Sequence, residues 1–371
     1  MLISVAVKNF RNFSDWYRFS LESENSYDFN KENVIDGIVN TSIIYGKNGS
    51  GKSNLGLAIL DLTSHINDIH LTSSLDQNYL NANIDENGIA EFSYLFDFNG
   101  VKVEYQYGKS NALKTIYETL RIDGTVYINF DRRSNNIAEI NLQGTASLNK
   151  EISNPNISVI KYIKSNAILN KDNKINKAFN QFLSFVEGML FFRTLLKTAD
   201  YYGQILDSSK LSKEIIDANK VEEFEKFLND ADIKCKLSTK EYPNGESIVF
   251  DFDGKSIDFG LAASTGTLSL GIFYYWWLKL DSQKINFVYI DEFDAYYHYS
   301  LSQLIVKKLS EIKCQTVLTT HNLSILSNDL LRPDCYFLMA DKIYPFYQLV
   351  DKDLRKAHNL EKIFKGLKYE Y

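Results

Sequence analysis

Gly46-Lys-Asn-Gly-Ser-Gly51-Lys52-Ser53 constrains this chain more than any other segment. The pattern is G-x-x-x-x-G-K-[ST], and its setting matters as much as its letters. Thr41-Ser-Ile-Ile-Tyr45 before it reads as a short buried strand, and a helix is expected from about Lys52 to Ile66 after it. In that context the glycines let successive backbone N–H groups turn inward around an anion, and the helix N-terminus adds positive dipole. Gly46, Lys47, Asn48, Gly49, Ser50 and Gly51 would wrap phosphates, with Lys52 reaching toward the β- and γ-phosphates. Ser53 would give its hydroxyl to Mg²⁺, an ion that retains most of its waters.

Downstream segments supply matching chemistry. Phe287-Val-Tyr-Ile290 runs into Asp291-Glu292, an apolar strand ending in two carboxylates. Behind a phosphate loop, an acid at this strand end holds Mg²⁺ through water, and Glu292 can polarise an attacking water as general base. Alone, the same run is only a strand entering an acidic loop. Ser264-Thr-Gly-Thr267 opens a helix that is apolar nearly all round. Such a turn is ordinarily a helix cap, yet a buried helix with a small-residue N-terminus is also a ready anion site. Thr316-Val-Leu-Thr-Thr320 is a strand ending in His321-Asn322. In this order the histidine reads as a γ-phosphate sensor.

The rest of the chain organises around these points. Residues 89–107 alternate as two strands about an Asn99-Gly100 turn, and 113–148 continue in short strands. Residues 157–232 read as mostly helical, with a strong stretch from Ile175 to Leu196. From Thr265 onward helices and strands alternate, which suggests a parallel α/β sheet. The expected division is 1–156, 157–235 and 236–371, the middle piece being a helical insertion in a split head.

Composition narrows the class. With 44% hydrophobic and 24% charged residues the chain is an ordinary globular one, not a disordered one. A net charge of −6 argues against a generally cationic nucleic-acid binder. Cys235, Cys314 and Cys335 show no metal or disulfide spacing, which fits free thiols in a reducing cytoplasm. The longest apolar run, Leu268 to Leu278, is too short to span a bilayer, so no membrane partner is expected.

Taken in order, these motifs resemble the ABC-type ATPases, and more closely the soluble branch that includes the ATPase domains of SMC, RecF and OLD-family proteins. Lys8-Asn-Phe-Arg11-Asn-Phe13 is similar to that branch's N-terminal Asn-Phe-Arg segment. Ile290-Asp-Glu-Phe-Asp294-Ala-Tyr-Tyr-His298 and Arg332-Pro-Asp334 resemble its runs around and after the acidic strand. Asn359-Leu-Glu-Lys-Ile-Phe-Lys-Gly366-Leu-Lys-Tyr369 resembles the C-terminal segment of small AAA-type abortive-infection ATPases.

The resemblance implies an α/β ABC ATPase head: a parallel-sheet core, an antiparallel β subdomain and a mostly helical insertion. It implies a head-to-tail homodimer, or a higher oligomer, enclosing ATP and Mg²⁺. Lys52, Ser53, Asp291, Glu292 and His321 of one protomer would hold each ATP, and Ser264 and Gly266 of the other would close on it. Arg11 would reach a phosphate, and Asp294 would lie on the dimer seam. Departures stand out: Thr265 occupies a position that is often acidic, and Tyr297 replaces the leucine before His298. No glutamine stands out as a water or Mg²⁺ ligand, Gln106 being the candidate. The expected function is a slow, regulatory ATPase that controls a separately encoded toxin or nuclease in bacterial anti-phage defence, PARIS-like in its division of labour. The rivals are a RecF-like DNA repair ATPase, for which DNA stays open as a partner, a binding module using ATP as a clamp, and a transporter subunit.

Overall fold

A computed structural model describes residues 1–67, 78–85, 87–193, 211–243, 245–281, 285–295 and 297–367. Two sheets organise these residues. The larger is antiparallel, in the order Glu139–Ile140, Thr125–Asp131, Thr115–Ile122, Val101–Lys109, Ala90–Phe98, Leu2–Lys8, Tyr17–Ser20. Its centre follows from strict alternation: Phe92, Tyr94, Phe96 and Phe98 point inward with Val103, Tyr105 and Tyr107. Asn99 (φ 57°) and Gly100 (φ 83°) supply the left-handed pair that a two-residue hairpin needs.

The second sheet is the core. Its order is Met189–Arg193, Phe287–Asp291, Gln315–Thr320, Thr41–Gly46, Tyr336–Met339, Ile343–Pro345, parallel except for the last strand. Its central strands are buried along nearly their whole length, as expected when both faces are covered. Because these strands are parallel, the ends of Thr41–Gly46, Phe287–Asp291 and Gln315–Thr320 open at one edge. The three motif segments therefore meet there.

The helix Lys52–Ile66 lies between the two sheets, packed against Met189–Arg193 and Phe287–Asp291. Tyr94 of the antiparallel sheet donates its hydroxyl to Ala58 O at 2.6 Å. The described residues of the segment 157–235 are mostly helical, with helices Val159–Asn166, Lys174–Glu187, Leu211–Asp217 and Val221–Asp230. The expected helix from Ile175 to Leu196, however, ends at Glu187. Met189–Arg193 is instead a strand, paired with Phe287–Asp291, and residues 194–196 lie outside the described ones. Gly188 breaks the helix, and Asn286 fastens the break, its N–H bonded to Gly188 O and its side chain to Ser184 O. Met189, Leu190 and Phe191 are fully buried, which suits a strand covered on both faces.

A small antiparallel sheet of Leu237–Tyr242, Gly245–Asp251 and Ser256–Asp258 leads into the helix Thr265–Asp281. Phe273, Tyr274, Tyr275 and Trp276 of that helix are core residues. Cys235, Cys314 and Cys335 are all free thiols. No helix among the described residues is long and apolar enough to cross a membrane.

Candidate functional site

The chain leaves the strand Thr41–Gly46 and turns back at once into the helix Lys52–Ile66. Gly49 (φ 78°) and Gly51 (φ 104°) make that reversal, in a region that L side chains rarely adopt. Gly46 is required for a different reason: a Cβ there would stand 2.9 Å from the carbonyl oxygen of Met339. Lys52, 5% exposed, folds back over the loop. Its ammonium donates to Gly46 O at 2.8 Å and Lys47 O at 3.2 Å, and lies 3.1 Å from His321 Nε2. Tyr289, from the neighbouring strand, donates to Lys52 O at 2.6 Å and fixes the start of the helix.

The acidic strand end sits alongside. Ser53 donates its hydroxyl to Asp291 Oδ2 at 2.5 Å, and Thr319 donates to Asp291 Oδ1 at 2.7 Å. The same Thr319 oxygen accepts the Glu292 N–H at 2.8 Å. Glu292 adopts φ 49°, so the backbone turns sharply out of the strand directly after Asp291. One threonine thus holds the Asp291 carboxylate and the Glu292 backbone. In the sequence its one signal is its place two residues before His321, at the end of the adjacent strand.

Electrostatics follow from burial. Desolvation lowers the Lys52 pKa, while Asp291 and Glu292 pull it back up. Desolvation, then the neighbouring Lys52 charge, lowers the His321 pKa, so its imidazole is neutral near pH 7 and accepts from Lys52. Burial raises the Asp294 pKa, and Thr320 donates to its Oδ1 at 2.7 Å. A cleft of about 580 Å³ opens beside the loop, lined by Gly46 to Ser50, His321 and Phe364 among others.

Other expected residues fall elsewhere. Ser264 caps the helix Thr265–Asp281: its Oγ accepts the Thr267 N–H at 3.2 Å and lies 2.9 Å from Thr267 Oγ1. It is exposed, and neither Ser264 nor Gly266 lines the cleft of its own chain. Arg11 lies in the turn after the first strand, with φ 52° and its guanidinium 5.6 Å from the Phe10 ring centroid. Its neighbour Asn12 reaches the loop itself. The Asn12 amide nitrogen is 2.5 Å from where a Gly51 Cβ would stand, and Asn54 donates to Asn12 Oδ1 at 2.7 Å.

Gln106 is no ligand of this site. It sits within the strand Val101–Lys109, between inward-facing Tyr105 and Tyr107, and its amide bonds to Glu104 and Ser93. Arg332-Pro-Asp334 is a buried clamp: Arg332 pairs with Asp334 at 2.6 Å and donates to Asn25 O at 2.8 Å. His298 precedes the helix Tyr299–Ser310, while Tyr296 lies outside the described residues. Asn359 caps the helix Leu360–Gly366, accepting the Lys362 N–H at 2.8 Å, and Lys368 and Tyr369 lie outside.

A protein-family model described as "AAA domain, putative AbiEii toxin, Type IV TA system" matches residues 42–327. Among solved structures, an SMC head bound to the C-winged helix domain of ScpA aligns with 14% identity and a TM-score of 0.51, covering 92% of this chain and 97% of that one. The SMC head domain from Thermotoga maritima aligns at 15% identity, TM-score 0.44, covering 93% and 98% of the two chains. An SMC head with an extended coiled coil, bound to the C-terminal domain of ScpA derived from Pyrococcus furiosus, gives 13% identity and 0.46, covering 92% and 95%. No curated protein matches the chain. The fold is that of an ABC ATPase head of the SMC type.

Proposed function

The chain belongs to the AAA-domain family of the AbiEii type, and on that premise we propose that it hydrolyses ATP, dimerises on it and so controls a separately encoded effector. The observation that carries the reading is the meeting of Ser53, Asp291 and Thr319 beside the phosphate loop. A hydroxyl and a carboxylate oxygen 2.5 Å apart are the hard oxygen donors that suit Mg²⁺, which needs only one or two protein ligands. Bound there, Mg²⁺ would neutralise charge on the β- and γ-phosphates.

The chain's own groups divide the remaining work. The loop backbone from Gly46 to Gly51 donates N–H groups to the phosphates. Lys52 leaves the neutral carbonyls of Gly46 and Lys47 for phosphate oxygens, which are charged and stronger acceptors. Glu292, set by Thr319, takes a proton from the attacking water as ATP and water become ADP and phosphate. His321, neutral and beside Lys52, would donate its one ring N–H to a γ-phosphate oxygen in the tautomer that carries the proton on the nitrogen facing it. Ser264 and Gly266 of a second copy bring a long helix's N-terminus to the γ-phosphate, and Asp294 lies at that seam. Arg11 reaches a phosphate once Asn12 has docked on the loop.

Closure of the dimer, more than turnover, is the useful output, and the setting is cytoplasmic anti-phage defence with a toxin or nuclease as effector. Glu292→Gln is expected to bind ATP normally, stall hydrolysis and accumulate dimer in size-exclusion chromatography with ATP. Full turnover in that variant would remove Glu292 as the base. Mixing Lys52→Ala with Ser264→Arg should restore one working site per heterodimer; no recovery would count against a site shared between copies.

A further inference from the structure

A second cleft, of about 750 Å³, lies at the edge of the core sheet opposite the phosphate loop. Asn286 and Lys313 line it just before the strands Phe287–Asp291 and Gln315–Thr320 begin. Asp291 closes the first of these strands at its far end, roughly 16 Å away at about 3.3 Å per residue. The other wall is the helix Lys174–Glu187, with Lys171 in the turn before it. None of its lining residues belongs to the phosphate-loop cleft.

The charge of this cleft runs against that of the chain, which carries 47 acidic and 41 basic residues. Lys171, Lys177 and Lys313 all line it, and their ammonium groups have no ion-pair or hydrogen-bond partner among the described residues. Among the lining residues the one carboxylate is Glu187, and Lys164 already holds it at 2.6 Å. Three like charges on one concave surface make a local positive potential that an anionic group relieves. The floor between them is apolar: Phe98, Leu183 and Phe185, each 7–9% exposed. At that exposure neither ring offers a face for a nucleobase to stack on. Asn180 and Gln181 are half-buried beside the floor, and their amides also lack partners among the described residues. A primary amide can both donate to and accept from a peptide bond.

We propose that this cleft docks an acidic, partly apolar segment of a partner protein. Carboxylates meet the three lysines, an apolar side chain covers the floor, and the segment's backbone bonds to Asn180 and Gln181. A nucleic acid would use the lysines and leave the floor bare. The inference does not depend on the ATP reading, because the occupant and the nucleotide take opposite edges of one sheet.

Three labelled probes separate these terms by fluorescence anisotropy on the full chain: a dodecapeptide of Glu and Leu, one of Glu and Ser, and oligothymidylate of equal length. Wild type is expected to bind the Glu/Leu peptide most tightly, with the Glu/Ser peptide about tenfold weaker for want of apolar burial. The triple variant Lys171→Glu, Lys177→Glu, Lys313→Glu should lose at least about tenfold in Glu/Leu affinity. A control of equal charge change, Lys226→Glu, Lys352→Glu, Lys356→Glu, reverses exposed lysines outside the cleft and should lose less than about twofold. All six lysines are exposed or at the cleft rim, so both variants should keep the wild-type melting profile. Equal loss in the two triple variants, or a wild-type chain that does not bind the Glu/Leu peptide, overturns the docking site. Oligothymidylate binding as tightly as the Glu/Leu peptide, or Glu/Ser matching Glu/Leu, overturns the acidic, partly apolar occupant.

Discussion

The helix Lys52–Ile66 carries a lysine-and-carboxylate cluster near each end, and the two are built to opposite ends. At its start, Lys52 meets neutral carbonyls and a neutral imidazole while Asp291 is held by two hydroxyls. Toward its end, Asp61 is saturated. Lys109 pairs with it at 3.0 Å, Tyr107 donates to Oδ2 at 2.8 Å and Tyr79 to Oδ1 at 3.0 Å. His65 lies 2.8 Å from the Tyr105 hydroxyl, which in turn donates to Glu118 at 2.8 Å. The second cluster is a closed network that ties the helix to the antiparallel sheet. In the first, Lys52 holds carbonyl oxygens and Asp291 holds hydroxyls, partners that an anion and a metal ion can displace. Charge and burial look alike in both; what separates a site from a strut here is that neutral, displaceable partners hold the strong groups of the first.

The largest effect should come from breaking the strut. Lys109→Ala leaves Asp61 buried without its ion partner, so a loss of about 3–5 kcal/mol is expected in denaturant unfolding. The double variant Asp61→Asn, Lys109→Met, which removes both charges, should recover much of that loss. If Lys109→Ala unfolds no more easily than wild type, the cluster is not the tie described here.

A pH series tests the same region more gently. Burial pushes Glu118 up to about 7 from an ordinary 4.5. Its carboxyl stays neutral in the folded chain after ionising in the unfolded one, so the unfolded state binds fewer protons over that window. Its contribution is therefore complete below about pH 4.5 and lost as pH rises to about 7, a span worth about 3 kcal/mol. Glu118→Gln should remove that downward slope. His65, lowered by burial and by Lys109, acts in the opposite sense, losing stability as pH falls below its unfolded value. A slope unchanged in Glu118→Gln would show that this carboxyl ionises freely in the fold.

At the open cluster the expectations reverse. Lys52→Ala removes a buried ammonium that pairs with carbonyls, so stability should barely change. ATP affinity should fall about a hundredfold, the scale of a lost charge-assisted contact. Equal destabilisation in Lys52→Ala and Lys109→Ala would erase the distinction between the clusters.

Sequence and structure agree best where chemistry is local. The phosphate loop, the Asp291-Glu292 strand end and Thr320-His321 announce themselves because each motif includes the strand that carries it. The strut is invisible by the same logic: Asp61, Lys109 and Glu118 come from one helix and two strands, and only non-local pairing brings them together. Met189–Arg193 reads as helix because the apolar run Met189–Phe192 has no period, and the pairing with Phe287–Asp291 decides it. Ser264 shows a local role fully legible, as a cap, while the role proposed for it would need a second chain. Phe364 sits in a C-terminal segment whose resemblance is legible, but its place beside Tyr45 depends on how the last helix docks.

Asn12 offers the finest test of the open cluster, because it touches the loop from outside without joining the chemistry. Its amide blocks the space beside Gly51 and accepts from Asn54, both at the loop-to-helix junction. That hydrogen bond is solvent-exposed, so Asn12→Ala should cost no more than about 0.5–1 kcal/mol of stability. The informative readout is affinity. Arg11 precedes Asn12 in a turn held by the Tyr79 carbonyl and the Asn81 side chain. If Arg11 contacts a phosphate, loosening Asn12 should weaken ATP about twofold, far less than Lys52→Ala, with the larger part of that loss vanishing at high salt. A loss that ignores salt would assign Asn12 to shaping the loop alone and detach Arg11 from the nucleotide.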